Sequence, residues 1–436
     1  MCHAEEFSVV CITVNKGTAN LLQRRQQRMG SAYRLFYDEP IHLVRGEGVW
    51  LFDVDGKRYL DMYNNVPHVG HCHPRVVEAI CEQARQLNTH TRYLHENVVN
   101  LAERLTAKFA PALDTAMFCC TGSEANELAL RIARRCTGGT GIIVTDFAYH
   151  GNSQATYEIS TDIIPARDVP DYVVTVPAPD TYRGAYRDDD AGARYAAHVN
   201  EALALLQSRG IKPAAFVIDT IISSSGVVAP PPGYLHSVAE IVRDAGALFI
   251  ADEVQPGFGR TGRNFWGFEA DGVAPDIVTM GKPMGNGHPL SAVVARRELV
   301  DTFSGYGRYF NTFGGNPVSC AAGCAVLDII ESENLQQNAL EVGQHLVDGL
   351  WQLADDHECI GDVRGTGLFL AVELVADRDQ RAPATELTTR VVNDLRDRGV
   401  LTGAIGPDAN ILKLRCPMVL TTDDADYFLG VLQGVL

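Results

Sequence analysis

The sequence predicts an α/β protein with one large, mostly parallel β-sheet covered on both faces, and a smaller α+β domain. Short β-branched runs recur at 141–146, 214–219, 246–252 and 276–281, and amphipathic helical patterns separate them. Continuous apolar strands that alternate with helices are typical of a parallel sheet buried between helical layers. The smaller domain is predicted because the pattern changes beyond about residue 326.

The N-terminal part of the chain contains two features outside the large sheet. Residues 1–30 include an apolar run of about seven residues after two acids, which is too short and wrongly flanked for a signal peptide or a membrane-spanning helix. We expect a loose or partly helical arm there. Residues 44–65 contain a hairpin signal, Asp53 to Gly56 between alternating apolar runs, and we expect it to pack with the C-terminal part.

The C-terminal part has helical patterns on both sides of a strand. Apolar residues follow helical spacing in 324–353 and 384–399, and 363–375 reads as a strand between them. The predicted organisation is an N-terminal arm and segment packing with the small domain (1–75), a large domain (76–325) and a C-terminal small domain (326–436).

The composition is that of a globular protein with an acidic surface. Of its 436 residues, 46% are hydrophobic and 21% are charged, and the formal net charge is -17. A surface with this charge repels nucleic acid and anionic membranes, so we expect neither as a partner. An anionic ligand must therefore meet a local cluster of hydrogen-bond donors.

The eleven cysteines do not form the pattern of a disulfide framework, because their number is odd and they are scattered. A reduced, cytoplasmic chain fits best. No metal site is expected at residues 71–73 (His, Cys, His), since three consecutive side chains cannot all face one ion. Pro74 reads instead as the first residue of a helix.

Two charged residues follow neighbouring apolar runs. Asp252 closes the run GALFIAD, so its carboxylate would emerge at the carboxyl end of a buried strand, where α/β sheets place ligands. Lys282 follows the next run, and Gly281 and Pro283 restrict the backbone around it. The alternatives are an aspartate that caps a turn and a lysine that reaches solvent along an apolar surface.

An anion site and an aromatic residue complete this set. The stretch FCCTGSEANELALRIARR passes from strand to helix through Thr121, Gly122 and Ser123, so N–H groups at a helix N-terminus would point outward. The alternative is that Ser123 only caps the helix. Tyr149 follows a strand and can stack on a ring, although it can equally belong to the core.

An amine, an acid, an aromatic face and phosphate donors are what an enzyme needs to hold pyridoxal 5′-phosphate (PLP). Val254, two residues after Asp252, would press against the ring if the strand continues. Each element alone is weak evidence, but their order and grouping predict a PLP enzyme. In such an enzyme Lys282 would hold the cofactor as a Schiff base and act as a base once the substrate displaces it.

The sequence resembles the class III, or omega, aminotransferase family of fold-type I PLP enzymes over nearly its whole length. The motifs that carry the resemblance are TGSEANELALRIAR, YHGNS, IADEVQPGFGRTG, GKPMGNG and FNTFGGNPVSCAA. The resemblance implies a fold-type I architecture with a sheet of the seven-stranded type in the large, PLP-binding domain. It also implies that Asp252 pairs with the pyridine nitrogen and that Gln255 reaches the 3′-oxygen of the cofactor.

The same resemblance assigns the remaining cofactor contacts. Tyr149 and Val254 would sandwich the ring, and Gly122 and Ser123 would hold the cofactor phosphate. Thr312 of the partner subunit would complete this phosphate site, so a homodimer is part of the expected active site.

Within the family, several sequence motifs are similar to those of the phospho-lyase branch, whose members act on ethanolamine phosphate or phosphohydroxylysine. The motifs that carry this similarity are NNVPHVGHCHPRVV, LNTHTRYLHENVV, GKPMGNGHPL and YFNTFGGNPVSCAAG. Lys413 stands where relatives have the arginine that grips a substrate carboxylate, and Ser224 stands where many have the glutamate that switches that arginine. The family's Glu-Pro is Asp219-Thr220 here, which leaves the surroundings of the cofactor open.

We therefore expect a phospho-lyase that eliminates phosphate from ethanolamine phosphate and gives acetaldehyde and ammonia, since this substrate has no carboxylate to grip. The alternatives are phosphohydroxylysine as the substrate and a true omega-aminotransferase. A PLP-binding regulator without turnover is disfavoured, because regulators of this fold carry a basic DNA-binding domain and this acidic chain offers none.

The substrate's own phosphate needs cationic donors. Lys413 and Arg415 share a strand face and are the first candidates. Arg415 could instead form a solvent-facing ion pair with Asp423 or Asp424. Weaker candidates for binding the substrate phosphate are Arg92, Tyr93, Asn64 and Asn65. They rest only on the similarity of their motifs to the phospho-lyase branch.

Overall fold

The computed structural model describes residues 16–436. The α-helices are α1 (Lys16–Met29), α2 (Pro74–Gln86), α3 (Glu96–Thr106), α4 (Gly122–Thr137), α5 (Gln154–Glu158), α6 (Ala191–Ser208), α7 (Tyr234–Asp244), α8 (Arg297–Ser304), α9 (Pro317–Ser332), α10 (Leu335–Asp356), α11 (Thr385–Asp397) and α12 (Thr422–Gln433). The β-strands are β1 (Leu43–Glu47), β2 (Trp50–Asp53), β3 (Arg58–Asp61), β4 (Thr115–Cys119), β5 (Gly141–Thr145), β6 (Val173–Val176), β7 (Pro213–Asp219), β8 (Leu248–Asp252), β9 (Ile277–Met280), β10 (Ser291–Ala295), β11 (Ile360–Thr366), β12 (Phe369–Asp377), β13 (Ala382–Pro383), β14 (Val400–Leu401), β15 (Gly403–Ile405) and β16 (Ile411–Leu414).

The large sheet has seven strands in the order β4-β10-β9-β8-β7-β5-β6. Strand β10 is antiparallel to both of its neighbours, and the pairs from β9 to β6 are all parallel. The predicted α/β class and fold-type I architecture are confirmed.

The two faces of this sheet explain the continuous apolar runs. In β7 and β8, Phe216 and Phe249 pack into one core cluster, whereas their neighbours Val217 and Ile250 pack into another. Successive side chains of a strand point to opposite faces, so a sheet covered by helices on both faces requires apolar residues at every position.

Two smaller sheets lie beside the large one. The predicted hairpin forms β2 and β3, and β3 pairs in parallel with β14, which joins the N-terminal segment to the C-terminal part. The other small sheet has the order β11-β12-β16-β15, with β13 paired to β12. The run 363–375, expected to be one strand, contributes to two, because Gly367 adopts a φ of 57° and turns the chain between β11 and β12.

The helical stretch 324–353 is also divided. It belongs to α9 and α10, which are separated at Asn334, a residue in the left-handed region with a φ of 52°. Helix α9 begins at Pro317, so the predicted domain boundary between residues 325 and 326 falls inside it. The division of the chain into domains therefore stays a prediction.

The expected N-terminal arm lies partly outside the described residues. Residues 1–15 are not among them, and Lys16–Met29 forms α1. None of the helices within residues 16–436 is long and apolar enough to cross a membrane. The nine cysteines in that range are free thiols.

Candidate active site

A cavity of about 330 Å³ lies at the carboxyl ends of the central parallel strands. Loops that follow β5, β7, β8 and β9 line it, together with the N-terminus of α4. This is where an α/β sheet places a ligand. The cavity brings together the sequence-predicted residues Gly122, Ser123, Tyr149, Asp252, Val254, Gln255 and Lys282.

Asp252 is the last residue of β8, and its buried carboxylate is fixed by three donors. Oδ2 accepts hydrogen bonds from Nδ1 of His150 at 2.7 Å and from Nδ2 of Asn126 at 2.8 Å. Oδ1 accepts one from the backbone N–H of Val254 at 3.1 Å. The carboxylate is therefore held in one orientation at the cavity.

His150 is enclosed completely, with no part of its side chain exposed. Its Nε2 is buried and has no hydrogen-bond partner within residues 16–436. Asn126 is itself fixed, because its amide donates to the backbone carbonyl of His150 at 2.8 Å and accepts from the Thr279 hydroxyl at 2.6 Å. The three side chains form a rigid support behind Asp252.

Lys282 follows β9 and begins a short 3₁₀ turn, so its amine enters the cavity from the next strand along the sheet. Burial, and then the nearby positive charge of Arg415, lowers the pKa of Lys282 to about 8. Within residues 16–436 its Nζ donates no hydrogen bond. A lysine in this environment is partly neutral, and to that extent nucleophilic, near physiological pH.

The turn before α4 forms the opposite end of the cavity. Thr121 caps the helix, since its hydroxyl accepts a hydrogen bond from the N–H of Glu124 at 3.1 Å. The alternative in which Ser123 is the cap is wrong, because Ser123 lies inside the helix. Its hydroxyl donates to Oδ1 of Asn152 at 3.0 Å and lies at the cavity.

Glycines leave room at this end. A Cβ atom on Gly122 would lie 3.0 Å from the side chain of Val254, and one on Gly151 would lie 2.6 Å from the Ser123 hydroxyl. Backbone N–H groups at a helix N-terminus without obstructing side chains suit a phosphate group. Tyr149, which is half-buried, and Val254 line the same cavity.

Gln255 connects the cavity to a buried polar cluster. Its amide nitrogen donates to the Ser223 hydroxyl, and that hydroxyl donates to Asp219, the last residue of β7. Its amide oxygen accepts from Arg415, and Lys413 Nζ lies 3.5 Å from the same oxygen. Two basic side chains thus converge on one residue of the cavity lining.

Lys413 and Arg415 are both buried and lie behind Gln255. Burial and the adjacent Arg415 lower the pKa of Lys413 well below its usual value. Arg415 Nε donates to the Tyr63 carbonyl at 3.0 Å, and its guanidinium lies 4.5 Å from the centre of the Tyr63 ring. The solvent-facing ion pair considered for Arg415 is therefore wrong, and Asp424 instead caps α12 with Thr421.

The weaker substrate candidates lie outside the cavity lining. Arg92 and Tyr93 are exposed, and Arg92 lies over the ring of Phe310. Asn64 accepts a hydrogen bond from Val66 within its own turn. Asn65 is buried, and its Nδ2 has no partner within the described part of the chain.

Thr312, expected to act across a subunit interface, is exposed and does not line the cavity of its own chain. Asn311 anchors its segment through a 2.9 Å hydrogen bond to Glu124 at the start of α4. Ser224, where many relatives have a glutamate, is half-buried in the loop after β7.

The side chains of residues 71–73 have separate structural roles. His71 bonds Asp61 at 2.8 Å, and His73 caps α2, whose first residue is Pro74, as predicted. The side chain of Cys72 is exposed in the turn between them.

Sequence reasoning missed His150 and the role of Asn126, and it left the replacement of Glu-Pro by Asp219-Thr220 unexplained. The Thr220 hydroxyl donates to the buried Glu253 at 2.7 Å, and burial raises the pKa of Glu253 to about 7. Their positions in the sequence could have indicated these residues, since Glu253 directly follows the predicted site residue Asp252 and His150 directly follows Tyr149.

The residues present fit PLP. A free amine, a carboxylate fixed by three donors and an unobstructed helix N-terminus surround one cavity, and they match the aldehyde, ring nitrogen and phosphate of the cofactor.

The chain matches the family described as aminotransferase class-III over residues 36–436. It is 45% identical over 419 residues to the Drosophila melanogaster protein "Alanine–glyoxylate aminotransferase 2-like", covering 94% of this chain and 85% of that one. It is 42% identical to "Ethanolamine-phosphate phospho-lyase homolog 1" of Caenorhabditis elegans, covering 95% and 93%.

A solved structure of a phospholyase from Arthrobacter in complex with phosphoethanolamine is similar throughout. Its TM-score is 0.92 at 46% sequence identity, covering 95% of this chain and 99% of that one. This chain therefore belongs to the class III aminotransferase family, and pyridoxal 5′-phosphate is its cofactor.

Proposed function

We propose that this enzyme is a phospho-lyase that converts ethanolamine phosphate and water into acetaldehyde, ammonia and inorganic phosphate. The observation that carries the proposal is the buried guanidinium of Arg415, which bonds Gln255 beside the amine of Lys282, with the basic side chain of Lys413 next to it. A phosphorylated amine needs both features, an amine acceptor and a nearby positive charge.

Seven residues of the cavity would hold the cofactor. Lys282 would anchor it covalently, Asp252 would face the ring nitrogen, and Gln255 would reach the 3′-oxygen. Tyr149 and Val254 would enclose the ring, and Gly122 and Ser123 would bind its phosphate. When bound, PLP supplies an electron sink for the bond changes at the amine-bearing carbon of the substrate.

Lys282 would remove a proton from the amine-bearing carbon once the substrate amine has displaced it. Its burial supports this role, because the lowered pKa of about 8 leaves part of the amine neutral near pH 7. The substrate's phosphate, one carbon away, would then leave with the electrons of its C–O bond. The positive charge of Arg415 behind Gln255 would stabilise the departing anion.

The replacements at two positions also favour elimination over amino transfer. A transaminase that binds two carboxylate-bearing partners in turn uses an arginine and a glutamate switch, and this chain has Lys413 and Ser224 instead. The similarity to the protein named alanine–glyoxylate aminotransferase 2-like makes an aminotransferase the second candidate.

One measurement distinguishes these activities. Ethanolamine phosphate or another amine is added to the enzyme without any oxo acid, and the cofactor absorbance is followed. A lyase releases phosphate and regains its original spectrum, whereas an aminotransferase keeps the amino group on its cofactor. Parallel phosphate-release assays with ethanolamine phosphate and phosphohydroxylysine identify the substrate.

We further propose that the enzyme works as a homodimer. His90 and Tyr93 stack at 5.1 Å, and Arg92 lies 3.9 Å from the centre of the Phe310 ring. This group and Phe313, which follows Phe310 closely in the sequence and is 69% exposed, form a largely aromatic surface beside Thr312. A second copy of the chain would cover this surface and bring Thr312 of the partner subunit to the cofactor phosphate.

A further inference from the structure

A second cavity, of about 460 Å³, lies at the C-terminal end of α4 and carries four arginines. Arg131, Arg134 and Arg135 belong to the last turns of the helix, and Arg308 comes from the segment after α8. The helix rise places these three helical residues about 13 to 20 Å along the axis from Gly122 in the catalytic cavity. The two cavities are therefore separate.

The four guanidinium groups have no ion pair with any carboxylate within residues 16–436. Arg134 is the innermost, and its Nε is buried without a hydrogen-bond partner. It lies over the ring of Tyr172, whose hydroxyl bonds Glu158, so part of its charge is balanced. Three full positive charges remain in a chain whose net charge is -17.

Aromatic rings orient two of these arginines. Arg131 lies 5.4 Å from the centre of the Phe303 ring, and Arg135 lies 5.2 Å from that of Tyr306. A guanidinium that lies over an aromatic ring forms no hydrogen bond with that ring, so its N–H groups stay available for an acceptor. These contacts therefore leave the hydrogen-bond donors of both arginines unused.

The helix end explains only part of the cluster. The negative end of the helix dipole favours cations in the last turn, which accounts for Arg134 and Arg135. It does not account for Arg131, which is farther from the end, or for Arg308, which comes from another segment. The convergence of four arginines on one cavity, three of them exposed, forms a local positive surface that suits an anionic ligand.

We propose that this cavity binds the diphosphate group of a small molecule. Guanidinium forks match phosphate oxygens in pairs, and a diphosphate with three to four negative charges matches the unbalanced charge better than a single phosphate does. The diphosphate can belong to inorganic pyrophosphate or to a nucleotide, whose base would stack on the exposed ring of Tyr306.

Calorimetric titration of the holoenzyme with pyrophosphate, at constant ionic strength, tests the proposal. We expect the double variant Arg131→Gln/Arg308→Gln to bind pyrophosphate at least tenfold more weakly than the parent. The matched control is Arg167→Gln/Arg187→Gln, which removes two exposed arginines elsewhere and should bind as the parent does. Phosphate-release activity without pyrophosphate should be unchanged in both.

Titration with a nucleoside triphosphate distinguishes the two sources. Equal affinity for both ligands supports recognition of the diphosphate alone, and tighter triphosphate binding that is lost in Tyr306→Ala supports a nucleotide. Equal pyrophosphate affinity in the parent and the Arg131/Arg308 variant would overturn the proposal. The proposal is also overturned by two results together: the parent binds no pyrophosphate, and sedimentation shows that the Arg131/Arg308 variant has a different subunit assembly. The arginines would then form a contact between copies of the chain.

Discussion

His150 Nδ1 lies 2.7 Å from Asp252 Oδ2, and both side chains are buried behind the catalytic cavity. Because a carboxylate accepts hydrogen bonds, the histidine donates through Nδ1. Asn126 adds a second donor to the same oxygen at 2.8 Å. The position of the acid that would face the cofactor's ring nitrogen thus depends on two side chains from separate segments.

We expect Asp252→Asn to retain PLP and to lose most of its activity. A neutral amide cannot keep the ring nitrogen protonated, so the cofactor becomes a weaker electron sink. The measurement compares PLP content with the rate of phosphate release. Activity within about threefold of the parent, roughly 0.7 kcal/mol of barrier, would show that Asp252 has a structural role only.

Lys282→Ala should abolish turnover and the absorbance of the Schiff base, because no other amine lines the cavity within the described residues. The matched control is Lys212→Ala, at an exposed lysine far along the chain, which should behave as the parent does. Borohydride reduction and peptide mapping should place the pyridoxyl group on Lys282. A label on another lysine would falsify the assignment.

The lowered pKa of Lys282 predicts how attachment of PLP depends on pH. Only the neutral amine attacks the aldehyde, so the neutral fraction rises with pH and levels off above a pKa of about 8. The rate of absorbance change after adding PLP to the apoenzyme should follow that curve. Nα-acetyl-lysine in the same buffers is the control, and a rate for the enzyme that keeps rising towards pH 10, as for this free amine, contradicts the prediction.

Local sequence patterns identified the strand ends of the site because a strand and the residue that follows it can both be recognised from a short stretch of sequence. Asp252 and Lys282 each follow an apolar run, and the turn at Gly122 opens an amphipathic helix, so position along the chain indicated their place in the sheet. The same patterns predicted the large sheet, since its strands are buried on both faces.

The contacts between distant segments could not be predicted in this way. His150 and Asp252 are separated by 102 residues, and Arg415 and Gln255 by 160. No local spacing shows that such side chains meet, because only the closure of the fold brings their loops together. For the same reason the sequence left two alternatives open for Arg415, a place in the substrate site and a solvent-facing ion pair.

Arg415→Ala should raise KM for ethanolamine phosphate by about tenfold or more, equivalent to about 1.4 kcal/mol, and leave PLP content unchanged. The reason is the loss of a buried positive charge behind Gln255. Arg415→Met, which keeps most of the side-chain volume, separates this effect from a packing defect. The comparison variant is Arg92→Ala, and a larger rise in its KM would move the phosphate site to the 92–93 segment.

Thr312→Ala should weaken PLP binding if Thr312 of the partner subunit completes the phosphate site. The residue is exposed in its own chain and lies outside that chain's cavity lining, so its loss should leave the fold intact. Ser304→Ala, at an exposed hydroxyl in α8, is the control. PLP dissociation constants of the two variants, measured by fluorescence, provide the comparison.

Mixing the inactive Lys282→Ala chain with the Thr312→Ala chain tests whether the site is shared. In a mixed dimer one site carries both defects, and the other takes native Lys282 from one chain and native Thr312 from its partner. After random reassociation, about one quarter of all sites should therefore bind PLP with parental affinity. If Thr312 instead acts within its own chain, no mixed dimer contains a fully native site, and no tight-binding fraction should appear on mixing.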